Sequence, residues 1–412
     1  MNKKVHIIGA GISGLITAIE LEKAGYNPTI IEATNSVGGR VKSDVIDGFV
    51  LDHGFQVLLD AYPKAKKYLD YNALELQKLI PGAIIFKNGK TQTIGDPLRQ
   101  LNLLFPTIIT SIGSLKDKLT ILKLNLDLKN KSIDSIFNDT AHTTTLEYLK
   151  AKGFSNKIIT NFFKPFFSGI FLETELKTSS VMFEFIYKMF GEGLAVIPKN
   201  GMQAIPNQLK SQLKRTNFIF NSPVSKVEEK LITLQDNSCI ETDITVIATE
   251  SSKILNTEEK VQWKSCDNLY FTVEKDTLKQ PIIGLLADEN ALINNLFFTT
   301  SIDNNNNNNT SKAHLLSVTI VKEHNFTEID LIKKVEAELK NKCKIITKTF
   351  IKRYRIKQAL PDLKSIKNNL DSESLKKSNT LFLVGDYTLN GSLNAAMTSG
   401  EQVAKHIIEL NN

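Results

Sequence analysis

Val5-His6-Ile7-Ile8-Gly9-Ala10-Gly11-Ile12-Ser13-Gly14 is the stretch that decides the fold. Val5 to Ile8 is a short β-rich apolar run, the pattern of a buried parallel strand. Beyond the glycines, Ile12, Leu15, Ile16 and Ile19 fall at i, i+3, i+4 and i+7, which predicts a helix. Gly25 suits its C-terminal cap, and Thr29 to Glu32 reads as a second strand. The chain therefore opens as a βαβ unit. Each glycine has a physical reason to be there. Gly9 permits the tight turn, Gly11 lets backbone approach a pyrophosphate, and Gly14 lets the helix pack close to the strand. The helix N-terminus, with Ile12 and Ser13, offers free N–H groups and a positive dipole end. Glu32 ends the second strand 23 residues beyond Gly9. A carboxylate there suits an adenosine ribose with free hydroxyls and repels a 2′-phosphate. These features leave NAD and FAD both open.

Outward from this unit, Asp47-Gly48 and Asn88-Gly89 predict two hairpins with type I′ turns, the second joining Ala83-Ile84-Ile85-Phe86 to the Thr91 region. From about Pro97 to Gly193 the pattern is mainly helical and reads as an inserted module. Strand signals resume at Phe218-Ile219-Phe220 and Val224 to Val227, with a hairpin about Asp236-Asn237, then Thr245 to Ala248. A second insertion runs from about Lys253 to Arg355. It holds Asp303 and the tract Asn304 to Asn309, read as a solvated loop. Last come a strand over Leu381 to Val384, Gly385-Asp386, and a helix from about Ser392. In that helix Leu393, Ala396, Met397, Gly400, Ala404 and Ile407 share one apolar face, and Ser392 or Asn390 can cap the start.

Composition excludes several classes. Three cysteines, Cys239, Cys266 and Cys343, are too few and too scattered for a disulfide framework, and the six histidines show no metal-ligand spacing, so no metal site is expected. The net charge of +7 is spread along the chain without a basic run interleaved with aromatics, which argues against nucleic acid. It suits either a lysine-rich surface or attraction to anionic lipid. No run reaches the roughly 18 apolar residues of a membrane span. Met1 to Leu15 is interrupted by glycines and lacks a cleavage site, so it is not read as a signal peptide. A cytoplasmic protein is expected, at most peripheral on the inner face of a membrane.

The next segments resolve the cofactor by resemblance. Glu32-Ala33 leads to Gly38-Gly39-Arg40, followed by Asp52-His53-Gly54-Phe55-Gln56-Val57. Val224 follows Pro223, and the chain closes on Val384-Gly385-Asp386-Tyr387-Thr388 and Gly391-Ser392-Leu393-Asn394-Ala395-Ala396-Met397. In this order these motifs resemble the flavin amine oxidase superfamily, which includes phytoene desaturases and protoporphyrinogen oxidases. The resemblance covers nearly the whole chain, least from about Leu255 to Phe350. It implies FAD: Gly39 and Arg40 at the pyrophosphate and flavin edge, Gly54 to Val57 beside the isoalloxazine, and Val224 reading the adenine through its backbone. It further implies Asp386, after Gly385, on ribityl or phosphate oxygens, and a helix N-terminus at Ser392, Leu393 and Asn394 facing the flavin. Lys164-Pro165-Phe166-Phe167-Ser168-Gly169 and Gly385-Asp386-Tyr387-Thr388 are most similar to the desaturase-type branch.

The implied fold is α/β, a discontinuous Rossmann-like FAD-binding domain from residues 1–95, 200–252 and 356–412. A helical and mixed-sheet substrate domain from 96–199 and 253–355 completes it. The implied reaction moves a hydride from a carbon of an apolar, isoprenoid or carotenoid-like substrate to flavin N5, with the cofactor carrying the chemistry. Two alternatives stand beside it: an amine oxidase using oxygen, and a flavin-binding protein without turnover. Amine oxidases usually place an aromatic near the start of the closing helix, and this chain has Ser392 there. Other residues keep two readings. His53 is a catalytic base or a turn residue. Phe162, Phe163, Phe166, Phe167 and Phe171 line a lipophilic tunnel or form a helical core. Cys266 and Cys343 are read as small buried hydrophobes, and Arg355 and Lys357 as surface residues. The Leu, Ile, Phe and Lys content of the helical module suits peripheral membrane contact.

Overall fold

The computed structural model describes residues 3–97, 99–139, 143–257, 260–302, 313–371, 374 and 376–411. Val5–Ile8, buried along its length, is the middle strand of a five-stranded sheet. The order is Asn217–Ile219, Thr29–Ile31, Val5–Ile8, Ile244–Ile247, Leu381–Leu383, and each neighbouring pair is parallel. Parallel strands are joined by crossovers, so both faces of such a sheet are covered. One face carries the helices Ile12–Lys23 and Leu393–Asn411. A β-carbon on Gly400 would come within 2.5 Å of the Ser13 carbonyl, so glycine is what allows the two helices to touch there. The other face is covered by the antiparallel strands Val224–Glu228, Leu231–Leu234 and Cys239–Glu241, whose Val227 and Ile232 pack on Ile8, Ile31 and Ile247.

A second, seven-stranded sheet has the order Thr347–Pro361, Trp263–Val273, His314–Ile320, Asn295–Phe298, Ile283–Leu286, Gly82–Lys87, Lys90–Gly95. It is antiparallel except between Ile283–Leu286 and Gly82–Lys87. The boundaries expected from sequence at 95 and 356 both fall within strands of this sheet. The hairpin at Asn88-Gly89 forms as expected, but its strands hydrogen-bond into this mixed sheet rather than standing with the nucleotide-binding part, and Thr347–Pro361 runs past 356. Period-2 alternation specifies a strand with one buried face and says nothing of which sheet supplies the neighbour.

Helices fill the first insertion. Capping boxes at Ser114/Asp117 and Thr144/Glu147 start two of them. A π-helical turn, Ile159–Phe163, runs directly into Lys164–Phe171, whose Pro165 has no N–H to return to the previous turn. Phe163, Phe167 and Phe171 are fully buried and pack with Phe183 and one another. Three of the five aromatics are thus core, each stabilising the module by about 1.5–3 kcal/mol. Phe162 and Phe166 stack on one another at its margin, only partly buried. The tract Asn304 to Asn309, with Asp303, lies outside the described residues. Among the described residues, no helix is long and apolar enough to cross a membrane.

Candidate functional site

The carboxyl ends of the parallel strands gather the expected residues. Gly9 leaves Val5–Ile8 with φ +104° and donates its N–H to the Ile31 carbonyl (2.8 Å). A β-carbon on Gly14 would stand 2.2 Å from the Gly9 carbonyl, so the helix start lies directly against the turn. Gly11 is different. Its backbone is extended, with φ −71° and ψ 178°, and an added β-carbon would meet nothing within 4 Å. The helix has neither a side-chain cap nor an acidic first turn, so the N–H groups at its start, near buried Ile12 and Ser13, are unpaired by side chains. Open space at a glycine beside a helix start without side-chain caps is the form that a phosphate cradle takes.

Glu32 is buried at the end of Thr29–Ile31. One carboxylate oxygen accepts the Ala10 N–H (2.7 Å), and the other accepts the N–H and hydroxyl of Thr34 (2.9 and 2.8 Å). It therefore braces the glycine turn and stays beside exposed Ala33. The turn also receives the Asn217–Ile219 strand's continuation. Ser222 donates to the Glu32 carbonyl and Asn221 to that of Thr34 (both 3.0 Å), which brings Val224 alongside. If Glu32 contributes a charged hydrogen bond to a ribose, Glu32→Ala is expected to weaken FAD binding by about 1–3 kcal/mol. Titration of the apo-protein with FAD measures this, and unchanged affinity would remove Glu32 from the site.

Gly38 donates to the Ala10 carbonyl (2.9 Å), and Gly39 sits against Gly11, where its β-carbon would lie 3.4 Å from the Gly11 Cα. Arg40 then reaches across the chain. Its guanidinium forms an ion pair with Asp386, donates to the Ala359 carbonyl (3.2 Å), and lies over Trp263 (5.0 Å). Asp386 is buried while Arg40 is part-exposed. Gly385 donates to the Ser399 hydroxyl (3.0 Å), which ties this turn to the closing helix. The two ends of the sequence thus meet at one point of the fold. Trp263, the single tryptophan, carried no local signal in the sequence, and its indole N–H is buried without an acceptor. An orphaned donor beside Arg40 fits a site that takes a polar group.

The loop after Asp52 lies between the two sheets. Gly54 has φ +97° and would press a β-carbon to 2.9 Å from the Ile356 side chain. Phe55 packs on Phe297 (5.1 Å), Gln56 donates to the carbonyls of Arg40 and His53 (3.0 Å each), and Val57 packs into the core. His53 pairs with Asp44 (2.9 Å) and stacks on Tyr354 (4.4 Å), which also donates to Asp44. Burial pushes the Asp44 carboxyl up, but these bonds outweigh it and hold it below its ordinary value. These contacts hold the imidazole against Asp44 and Tyr354. Asp52 goes the other way: burial pushes it up to about 6 despite bonds from Ser43 and the Met202 N–H.

At the closing helix, Ser392 is buried and its hydroxyl accepts the Ala395 N–H (3.0 Å), so it is a cap. Leu393 is partly buried, and buried Asn394 accepts the Lys64 N–H (3.0 Å). Arg355 and Lys357 are exposed. Cys343 is buried and Cys266 partly so; burial pushes both thiols up to about 12, which leaves them inert at neutral pH.

Comparison with known proteins gives one family for this geometry. The family model described as flavin containing amine oxidoreductase matches residues 12–408. Hydroxysqualene dehydroxylase of Rhodopseudomonas palustris is 46% identical over 70 residues, 16% of this chain and 17% of that protein. The 4,4'-diapophytoene desaturase of Staphylococcus aureus is 37% identical over 112 residues, 26% of this chain and 22% of that protein. The matches thus span less than a quarter of these relatives' own lengths. A solved putrescine oxidase bound to putrescine shares the fold across 99% of both chains, with a TM-score of 0.71 at 14% identity.

Proposed function

The chain belongs to the family of flavin-containing amine oxidoreductases and is an FAD-dependent oxidoreductase; on that footing we propose that it removes a hydride from a carbon of a large apolar, isoprenoid-like substrate. The observation that carries this reading is Ser392. A buried cap stands where an amine oxidase presents an aromatic wall, and desolvating an ammonium calls for such a wall. An allylic carbon losing hydride leaves a delocalised cation, which needs shape and an apolar surround more than fixed charges. The hydroxysqualene dehydroxylase and the diapophytoene desaturase, both named for isoprenoid-type substrates, support it.

FAD, when bound, supplies the hydride acceptor. The protein's part is to hold and orient. Gly9, Gly11, Gly14 and the N–H groups at Ile12 and Ser13 take the pyrophosphate, with Gly39 and Arg40 beside it. Glu32 and Ala33 take the ribose, and Val224 the adenine. Gly54, Phe55, Gln56 and Val57 lie along the ring. Gly385, Asp386 and the helix start at Ser392, Leu393 and Asn394 hold the remaining polar oxygens. Arg40 neutralises buried Asp386, so that carboxylate does not repel the phosphates.

The test is anaerobic stopped-flow mixing of the oxidised protein with phytoene-type carotenoids in detergent, and separately with primary amines and polyamines. Bleaching of the flavin band by the carotenoid is expected. Bleaching by an amine alone would replace this reading with an amine oxidase, like the putrescine oxidase of the same fold. Bleaching by neither would favour a flavin-binding protein without turnover.

A further inference from the structure

The helix Leu115–Asn130 is apolar on two faces. One buries Leu124 and Leu128 in the core. The other holds Leu115, Leu119, Leu122 and Leu126 in solvent, 69, 59, 38 and 62% exposed. Their spacing of four, three and four residues makes a continuous stripe. The helix before it, Leu104–Ile109, buries none of its residues and exposes Leu104, Phe105, Ile108 and Ile109. Nine of the fourteen large hydrophobic side chains exposed among the described residues lie between 101 and 126, so this is one patch and not the usual scatter.

The patch is built rather than frayed. Lys118 donates to the carbonyls of Ile108 (2.6 Å) and Thr110 (3.0 Å), fixing one helix end to the other helix. The Gln92 amide oxygen accepts from the Thr110 hydroxyl (2.8 Å) and the Ser111 N–H (2.7 Å). Asp117 accepts the Ser155 N–H (2.8 Å), anchoring the second helix to the module.

Charge selects the occupant. Lys116, Lys123 and Lys129 are exposed on the same helix, against one exposed carboxylate, Asp127. At the turn between the two helices opens a cavity of about 530 Å³, lined by Lys87, Lys90, Lys157, Gln92, Ser111 and Asn156, among others. Its lining contains three lysines and no carboxylate. A second copy of this chain seated face to face would bring like lysines together, since a two-fold interface pairs a patch with itself. An anionic bilayer answers both features: apolar side chains enter the headgroup–acyl boundary, and the lysines meet lipid phosphates.

We propose that the Leu104–Ile109 and Leu115–Asn130 surface docks onto anionic phospholipid, with the Lys87–Lys90–Lys157 cavity taking a headgroup phosphate. No residue of the flavin site takes part, so the proposal stands apart from the redox reading. The test is co-flotation of the flavin-loaded protein with vesicles of phosphatidylcholine alone or mixed equally with phosphatidylglycerol. Flotation with the mixed vesicles is expected. A Phe105→Ser, Leu119→Ser, Leu122→Ser variant is expected to lose at least about tenfold in partitioning, with flavin content and far-UV circular dichroism unchanged. A Lys87→Gln, Lys90→Gln, Lys157→Gln variant is expected to lose the preference for phosphatidylglycerol. No flotation at low salt, or full binding by the serine variant, would overturn the proposal. So would a concentration-dependent dimer in sedimentation velocity that the serine changes abolish, since a second copy would then cover the patch. Full phosphatidylglycerol preference in the glutamine variant would overturn the headgroup site.

Discussion

Gly11→Val is expected to give a folded protein that holds no flavin. Valine suits the backbone at this position, since φ −71° and ψ 178° lie in extended space. Its β-carbon meets nothing within 4 Å and points into open space. The side chain therefore takes up space beside the helix N-terminus that a bound phosphate would need. The expected loss in FAD affinity is at least about 100-fold, roughly 3 kcal/mol. The thermal midpoint of the apo-protein should stay near that of unaltered apo-protein. Gly14 offers no such separation, because a β-carbon there would lie 2.2 Å from the Gly9 carbonyl and disturb the turn itself. Full flavin content in Gly11→Val would show that the glycine turn has another purpose.

Glu401→Gln is expected to be the most destabilising of the charge removals. The Glu401 side chain is 3% exposed in the closing helix and accepts from Lys64, Lys67 (2.9 Å) and Lys405 (2.7 Å). Two of these lysines belong to the helix Pro63–Tyr68, so the network seats the closing helix on that segment. Burial pushes the Glu401 carboxyl up, but the bonds from Lys405, Lys64 and Lys67 outweigh it and bring it down from 4.5 to about 2. Removing the charge leaves three ammonium groups around a buried amide. Because the lysines also reach water, the cost should be about 2–4 kcal/mol, toward the low side for breaking a buried pair. The sign with pH follows from the lowered value. The stabilisation is complete above pH 4.5 and is lost as pH falls from 4.5 toward 2. Urea unfolding of both proteins should show the gap at pH 7 and its narrowing in acid. A gap independent of pH, or no gap, would mean that the network contributes nothing through charge.

The frame of this candidate site was legible in the sequence because its parts are local. The glycine spacing, the apolar period behind it and the strand ending at Glu32 each speak within a few residues, and the fold places them as read. The Arg40–Asp386 pair was not legible, because only the sheet order brings residues 346 positions apart together. Trp263 stayed silent for the same reason: its contact with Arg40 comes from a strand of the second sheet. The hairpin at 82–95 was legible as a hairpin but not in its allegiance, since alternation does not name the neighbouring strand. The Phe162–Phe171 stripe reads alike as core or tunnel, and burial divides it three to two. In Leu115–Asn130 the leucine and lysine content suits a surface contact, but only tertiary packing reveals which face stays uncovered.

That the two ends of the chain build one flavin site is best tested by the cofactor itself. Heat-denatured protein, or apo-protein reconstituted with flavin, is analysed by absorbance and chromatography against the protein concentration. About one FAD per chain is expected, released intact and therefore non-covalent. Release of FMN, or a colourless protein that FAD cannot reconstitute, would contradict a flavin site made from these residues.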